Sequence, residues 1–236
     1  MSKCKHIETK TFEEAFIKVN KLIRTNPDFN LESRIGQCQE CHTVSFTVED
    51  PTTFEFQNTN INRIPYHYAE TFYDFMMSGK ENALEAFKNY SAVIPFIDKP
   101  KSKDIPDNFN SLYGPRIKRQ LKSIIKELSD NPESRRATIL ILNESDHVLL
   151  DKDETLEFPC TISMTYFIRD GKLNAQVDMR SQNTAIVLQL DMYLQGKALC
   201  YLASVLGVGL GSFSSTMVSG HIFDRDFEYI DAIINE

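Results

Sequence analysis

Residues 161–180 read TISMTYFIRDGKLNAQVDMR, and this stretch decides the fold. Two runs rich in Ile, Thr, Tyr, Phe and Val, 161–168 and 172–180, flank Arg169, Asp170 and Gly171. An Asp-Gly pair between strand-like runs signals a hairpin, because its turn needs residues that tolerate positive φ. Downstream, 190–206 reads as a helix and is followed by a strand through Met217. Upstream, 137–142 is a short buried strand. Before it, Pro115 suits the first turn of a helix in which Ile117, Leu121, Ile124, Ile125 and Leu128 recur at helical spacing. Further out, 11–24 is a helix: Thr11 and Glu14 have capping-box spacing, Phe12, Ala15, Phe16, Val19, Leu22 and Ile23 form one stripe, and Asn26, Pro27 and Asp28 end it. Val44, Phe46 and Val48 alternate in a strand over 43–48, preceded by a loop that holds Arg34 and Gly36. Residues 66–77 read as a helix free of Gly and Pro, and 96–110, with Pro100 and Pro106, as a loop. With no repeat and no low-complexity tract, the expectation is one α+β domain over 1–236, a mixed or antiparallel sheet packed by helices.

Composition narrows the function. The 42% apolar and 25% charged content supports a packed core, and 26 Lys and Arg against 33 Asp and Glu give a net charge of −7. Such a chain repels polyanions, so nonspecific nucleic-acid binding is not expected and a phosphate ligand needs a local basic pocket. Five Cys and a polar stretch over 1–10 without a signal-peptide core point to a reducing cytoplasm. The uncharged stretch 198–223 is broken by Gly207, Gly209, Gly211 and Gly220 and by several hydroxyl residues, which fits a buried helix and strand and not a membrane span.

Three groups of residues carry chemistry. Cys160 follows Phe158-Pro159 at the start of the hairpin, where a thiol is held on a rigid strand; Arg180 at the end of the paired run is a cation that favours its thiolate. The alternative is a plain buried cysteine. Arg135-Arg136 and Arg180-Ser181 combine guanidinium forks with a hydroxyl, a set suited to a phosphate monoester, or else are solvated surface. Cys38-Gln39-Glu40-Cys41-His42, with Cys4 and His6, has zinc-like spacing, but a single CxxC lacks a second knuckle and no metal is expected.

Taken in order, Tyr113-Gly114, Asn131-Pro132-Glu133-Ser134-Arg135-Arg136, Phe158-Pro159-Cys160-Thr161, Met179-Arg180-Ser181, Asp191 and Gly220-His221-Ile222-Phe223 resemble the thymidylate synthase superfamily, and within it the deoxycytidylate hydroxymethylase branch. The resemblance spans about 34–223. It implies a thymidylate synthase-like fold with the sheet at a homodimer interface, and a reaction in which a Cys160 thiolate adds to C6 of a pyrimidine so that C5 attacks the one-carbon unit of 5,10-methylenetetrahydrofolate. It further implies a phosphate site of Arg34, Arg180 and Ser181 with Arg135 and Arg136 of the other subunit. Glu70 matches the general acid/base, with Tyr73 three residues later on the folate side, and Tyr113 matches a residue that assists proton removal from C5. His221 and Phe223 match sugar contacts, and Asn183 and Val187 folate contacts.

Asp191 decides the base. Uracil-using members carry Asn there, whose amide matches O4 and the N3 proton. Cytosine inverts that pattern, and a carboxyl can accept from the 4-amino group while sharing a proton with N3. Thr161 agrees, since the synthases usually have His after the nucleophile. The implied reaction is hydroxymethylation of dCMP with water completing the transfer. Several departures keep a methylase acting on dCMP or dUMP, and a catalytically degraded nucleotide-binding module, in view. Asn183 replaces an Asp, Val187 a Gly and Phe223 a Tyr, there is no Trp, and the sequence ends at Glu236. A less sealed site would favour water over hydride.

Overall fold

The computed structural model describes residues 5–98, 108–109, 113–151 and 158–235. In chain order the elements are β1 (Lys5–Thr9), α1 (Phe12–Thr25), β2 (Phe29–Ser33), β3 (Gly36–Val48), α2 (Tyr66–Ser78), α3 (Ala83–Phe87), β4 (Ile97–Asp98), β5 (Asn108–Phe109), α4 (Tyr113–Asp130), β6 (Thr138–Leu140), β7 (Thr161–Arg169), β8 (Lys172–Asn183), α5 (Val187–Leu206), β9 (Gly209–Phe223) and α6 (Phe227–Ile234). One mixed sheet runs β1-β3-β9-β8-β7-β6, with β2 added to β3, and β4 and β5 form a small separate ladder. The β1–β3 and β8–β9 pairs are parallel and the others antiparallel. This is the α+β architecture expected from the sequence.

Local chemistry explains the elements. Thr11 Oγ1 accepts the Glu14 N–H at 3.2 Å, and the Glu14 carboxylate reaches back to accept the Lys10 N–H, so side chains cap the start of α1. Its stripe of Phe12, Ala15, Phe16, Val19 and Ile23 is fully buried, with Phe12 meeting Phe213 of β9 edge-on at 5.0 Å. Asp170 and Gly171, at φ 50° and 71°, make the tight turn between β7 and β8. α5 crosses α1 at Gly196, where a Cβ would stand 2.8 Å from the Phe12 ring.

Beside the catalytic candidates, a buried ion pair ties α4 to the segment that follows β6. Arg116 donates to the Asp146 carboxylate at 2.7 Å and to the Ile141 carbonyl. Burial pushes Asp146 up, but the Arg116 guanidinium and the Asn143 N–H outweigh it and hold the carboxyl below its ordinary value.

The sheet changes character along one line. Within a regular strand, every second residue faces the helices. Here the buried positions step by three on each of four strands, at Thr161 to Met164, Met179 to Gln182, Met217 to Gly220 and Cys41 to Val44, the last following a first such step from Cys38 on the opposite face. On β3, β9 and β8 the intervening positions are adjacent across the sheet, and on β7 the step lies about two residues away, opposite Asp178 and Met179. The β7–β8 register slips between Thr161 and Ser163, Ser181 pairs with Ser219 beyond the line, and Thr43 has φ 53°. A row of irregularities thus crosses four strands, a bulge with a register slip on β7 and matching kinks that keep register on β8, β9 and β3, and it re-aims the side chains beyond it.

That row explains where the sequence reading stopped short. β8 continues past Arg180 to Asn183, β9 past Met217 to Phe223, and β3 starts at Gly36, because alternation breaks at the kinks while the ladder goes on. The expected loop around Arg34 is the tip of the β2–β3 hairpin, with Ser33 paired to Gly36. The helix expected from 190 starts at Val187. Within 96–110, the β4 and β5 residues pair, while 99–107 and 110, with Pro100 and Pro106, lie outside the described residues.

Helices α1 and α5 cover the face of Val44, Phe46, Val177 and Phe213. The opposite face displays a polar row in which Thr47 meets Ser214 at 2.8 Å, Ser163 donates to Asp178 at 3.1 Å, and Gln176 donates to Thr216 at 3.1 Å. Cys38 and Cys41, three apart on β3, point to opposite faces. Cys41 lies beside Lys5 at 3.1 Å, His42 pairs with Glu40, and Cys4 is outside the described residues. Among the described residues, no helix is long and apolar enough to cross a membrane.

Candidate active site

Cys160 stands at the head of β7, directly beyond the bulge row, after buried Pro159. Two neighbours fix this corner. Thr161, fully buried, donates its N–H to the Tyr113 hydroxyl at 3.0 Å, which joins the head of α4 to the head of β7. Arg180 reaches across from β8: its Nε donates to the Pro159 carbonyl at 2.7 Å, one Nη to the Phe158 carbonyl at 3.1 Å, and the same Nη lies 3.8 Å from Cys160 Sγ. The guanidinium also sits 4.8 Å from the centre of the Phe158 ring. A cation held this firmly beside a sulfur is the charge that a thiolate nucleophile requires.

Asp191, in the second turn of α5, is half-buried. Burial pushes its carboxyl up to about 7, against the opposing pull of Gln182, whose Nε2 donates to Oδ2 at 2.9 Å. Tyr113 is driven well above the ordinary phenol range, by burial first and then by the charges of Cys160 and Asp191. Cys160, Arg180, Tyr113 and Asp191 therefore form one cluster, brought together from β7, β8, α4 and α5. Strongly shifted groups gathered around a candidate nucleophile mark a candidate catalytic site.

The remaining expected residues divide. Ser181 and Asn183 follow Arg180 on β8, and Asn183 pairs in register with His221. Burial holds the His221 imidazole below its ordinary value, with Arg180 acting in the same direction, so it is neutral at neutral pH. Phe223 is 4% exposed, its ring enclosed by His221 and Arg225, and offers no open surface to a sugar. Val187 is exposed one helical turn before Asp191 and on the same side of α5. Asn183 accepts the Ile186 N–H at 3.4 Å at the start of that helix.

Glu70 and Tyr73 are not brought to this cluster. The Glu70 carboxylate accepts from Lys197 and Tyr193, and those bonds hold it below its ordinary value. At about 100° per residue, Tyr193 and Lys197 project about 160° and 120° away from Asp191 round α5. The expected general acid/base thus lies on the other side of the helix, paired to a lysine. Tyr73 is 8% exposed with Lys197 above its ring, so it presents no face to a folate.

Three arginines also stand apart. Arg34 is exposed at the β2–β3 tip. Arg135 and Arg136 are exposed before β6, with Arg136 bonded to Glu127 at 2.9 Å. The Ala137 carbonyl accepts from Tyr166, six residues along β7 from Cys160, or about 20 Å at strand rise. This pair does not reach the Cys160 of its own chain.

Gln182 is the residue that sequence reasoning missed. It lies between two expected site residues but past the point where alternation ended, so no periodic signal announced that it faces α5. The signal available was its place two residues after Arg180, inside the same motif.

The thymidylate synthase family model matches residues 97–236, which hold Tyr113, Cys160, Arg180 and Asp191. This chain belongs to the thymidylate synthase family. Its members are folate-dependent one-carbon transferases that act on pyrimidine nucleoside monophosphates. A protein of Methanosarcina barkeri named "Putative thymidylate synthase" is 25% identical over 234 residues, 97% of this chain and 94% of its own length. The deoxycytidylate 5-hydroxymethyltransferase of Enterobacteria phage T4 is 33% identical over 119 residues, 48% of each chain, so the match spans about half of that relative.

Proposed function

We propose that this protein is a dCMP hydroxymethylase, built as one domain and active as a homodimer. The observation that carries the reading is Asp191, a carboxyl that meets the candidate nucleophile Cys160 around the Tyr113 hydroxyl. Cytosine offers an acceptor at N3 and donors at its amino group; a carboxyl group that shares a proton with N3 and accepts from the amino group satisfies both. Charge placed on N3 draws electrons from the ring, which helps C6 accept the Cys160 sulfur. C5 then becomes the nucleophilic carbon. The Tyr113 hydroxyl, which accepts the Thr161 N–H, would help remove the C5 proton.

Arg180 and Ser181, with Arg34, would hold the substrate phosphate, and His221 the sugar. Arg135 and Arg136 lie about 20 Å along β7 from their own Cys160, which supports their service to the partner's site across the polar face of the sheet. Val187 and Asn183, at the Asp191 end of α5, would hold 5,10-methylenetetrahydrofolate. Bound there, that cofactor supplies the one-carbon unit. Tyr73, enclosed under Lys197, does not fit this role.

Release of tritium from C5-labelled dCMP, dUMP and CMP, with and without the folate, tests the reading. We expect release from dCMP in preference to dUMP; equal or preferential release from dUMP defeats the cytosine assignment. A dCMP that binds without any exchange indicates a nucleotide-binding module. A second reading, a methylase, is favoured by the name of the Methanosarcina barkeri relative. Product mass separates the two: a hydroxymethyl nucleotide with tetrahydrofolate supports ours, and a methyl nucleotide with dihydrofolate defeats it.

A further inference from the structure

The row of kinks decides what the sheet displays on its polar face, away from α1 and α5. Above the row Val44, Val177 and Met217 point to the helices. Unbroken alternation from them would send Glu40 and His42, Ser181 and Asn183, and Ser219 and His221 to the same side. The step of three turns Cys41, Gln182 and Gly220 inward instead and leaves all six on the polar face. There they stand in two cross-strand lines, His42-Ser219-Ser181 and Glu40-His221-Asn183. On β3 the kink falls at Thr43, a β-branched residue held at φ 53°, a conformation that such residues avoid.

Three of the six already have a part in the proposed site: Ser181 for the phosphate, His221 for the sugar and Asn183 for the folate. Glu40 has none, yet it is the cross-strand partner of His221, with Cα atoms about 5 Å apart. Its side chain is 14% exposed and anchored, for Ser219 donates to Oε2 and His42 Nε2 lies 2.6 Å from Oε1. The charges of Arg180 and Glu40 both act on the His221 imidazole, so a phosphate-binding cation and a carboxylate flank the same ring. A carboxylate has nothing to offer a phosphate. It has about four lone-pair sites, of which Ser219 and His42 occupy two, and the others suit a hydroxyl donor.

We propose that Glu40 reads the 3′ position of the substrate sugar, accepting the proton of a free 3′-hydroxyl and repelling a 3′-phosphate. The inference rests on the reading of Arg180, Ser181 and His221 as phosphate and sugar contacts given above. In a 5′-nucleotide the 5′-carbon and the 3′-oxygen leave the sugar ring from adjacent carbons on opposite faces. A sugar lying over His221 of β9 with its phosphate on β8 therefore turns its 3′-hydroxyl toward β3 and Glu40. Phe223, two residues further on β9, is enclosed and has no hydroxyl to offer. A 3′-phosphate would meet a like charge at a largely buried position, where repulsion is weakly screened. Every internal residue of a polynucleotide carries such a phosphate. Glu40 thus confines the site to free mononucleotides.

The test is equilibrium binding of dCMP, 2′,3′-dideoxycytidine 5′-monophosphate and deoxycytidine 3′,5′-bisphosphate to the intact protein, with thermal melting alongside. In the wild type, dCMP should bind about tenfold more tightly than the dideoxy nucleotide and on the order of a hundredfold more tightly than the bisphosphate. Glu40→Ala, which removes the acceptor, should bring dCMP and the dideoxy nucleotide within about threefold of each other. Glu40→Gln, which keeps the size and loses the charge, should strengthen bisphosphate binding relative to dCMP by about tenfold, and serves where Ala disturbs β3. A merely structural Glu40 would lower the melting temperature and weaken all three ligands alike. Unchanged ratios in the folded variants overturn the proposal, as does a wild type that binds dCMP and the dideoxy nucleotide equally. A wild type that binds none of the three instead overturns the nucleotide reading beneath it.

Discussion

The sheet above its bulge row and the sheet below it are built from the same strands and do different work. Above, Val44, Phe46, Val177, Phe213 and Ser215 alternate without interruption, and the inward side chains are almost all apolar. Below, the inward row includes Thr161 and Gln182, and the corner between β7 and β8 holds a thiol, a guanidinium and two backbone carbonyls in contact. Regular alternation can deliver only one kind of surface to a helix layer. A row of kinks lets one strand present apolar residues to α1 and polar ones to the site, at the cost of locally interrupted pairing.

Substitutions on the two sides should therefore fail in different ways, and the largest effect belongs below the row. Cys160→Ala is expected to lower C5-proton exchange by about a thousandfold or more, because the covalent step has no substitute group, while stability changes by less than about 1 kcal/mol. Exchange that persists in this variant would mean that the sulfur is not the nucleophile and that the kinked corner is only structural.

Above the row, Phe213→Ala should do the reverse. The ring is 1% exposed and packs on Phe12 and Phe46. Its removal should cost about 3–5 kcal/mol in denaturant unfolding, with the ratio of dCMP to dUMP binding unchanged in the folded protein. A changed ratio would show that the two halves are coupled more tightly than their packing suggests.

Asp191→Asn sharpens the contrast, because it should improve stability while damaging function. The carboxyl lies near 7 in the folded chain against an ordinary 3.8, raised by burial. A raised acid contributes its full stability below pH 4 and loses it as pH rises toward and through 7. At pH 8 the asparagine variant should thus be more stable than wild type by on the order of 2 kcal/mol, a figure reduced for partial solvent access, and the gap should close by pH 4. Nucleotide preference should shift from dCMP toward dUMP. Equal stability at pH 8 would mean that the Asp191 carboxyl is solvated like a surface acid.

The same line separates what the sequence discloses from what it hides. α1 was legible because Thr11, Glu14 and the apolar stripe all agree, and the β7–β8 hairpin because Asp170-Gly171 has few other uses. The ends of β3, β8 and β9 were not, since a period-two reading stops where the period breaks. β2 has no inward face to betray it: Phe29, Asn30, Leu31 and Glu32 are all exposed. At the site, the motif resemblance located Cys160, Arg180, Tyr113 and Asp191, which the fold gathers from four elements. It also pointed to Glu70 and Tyr73, which α2 turns toward Lys197 instead. Gln182 and the Arg116–Asp146 pair depend on contacts between distant segments, and no local pattern encodes those.

The smallest expected effect concerns the two ends of β7. Cys160 lies at its kinked end, and Arg135-Arg136 lie beside Tyr166 toward its regular end, so a site that needs both must draw them from two copies. Cys160→Ala and Arg135→Ala/Arg136→Ala homodimers should each be impaired. When they are unfolded together in equal amounts and refolded, half of the dimers should be hybrids. Each hybrid then carries one site with both defects and one with none, because the intact Cys160 of one subunit meets the intact arginines of the other. Recovery of about a quarter of the wild-type activity is the expected result. If mixing recovers nothing, the arginines serve their own chain or none, and the regular half of the sheet has no part in the chemistry of the kinked half.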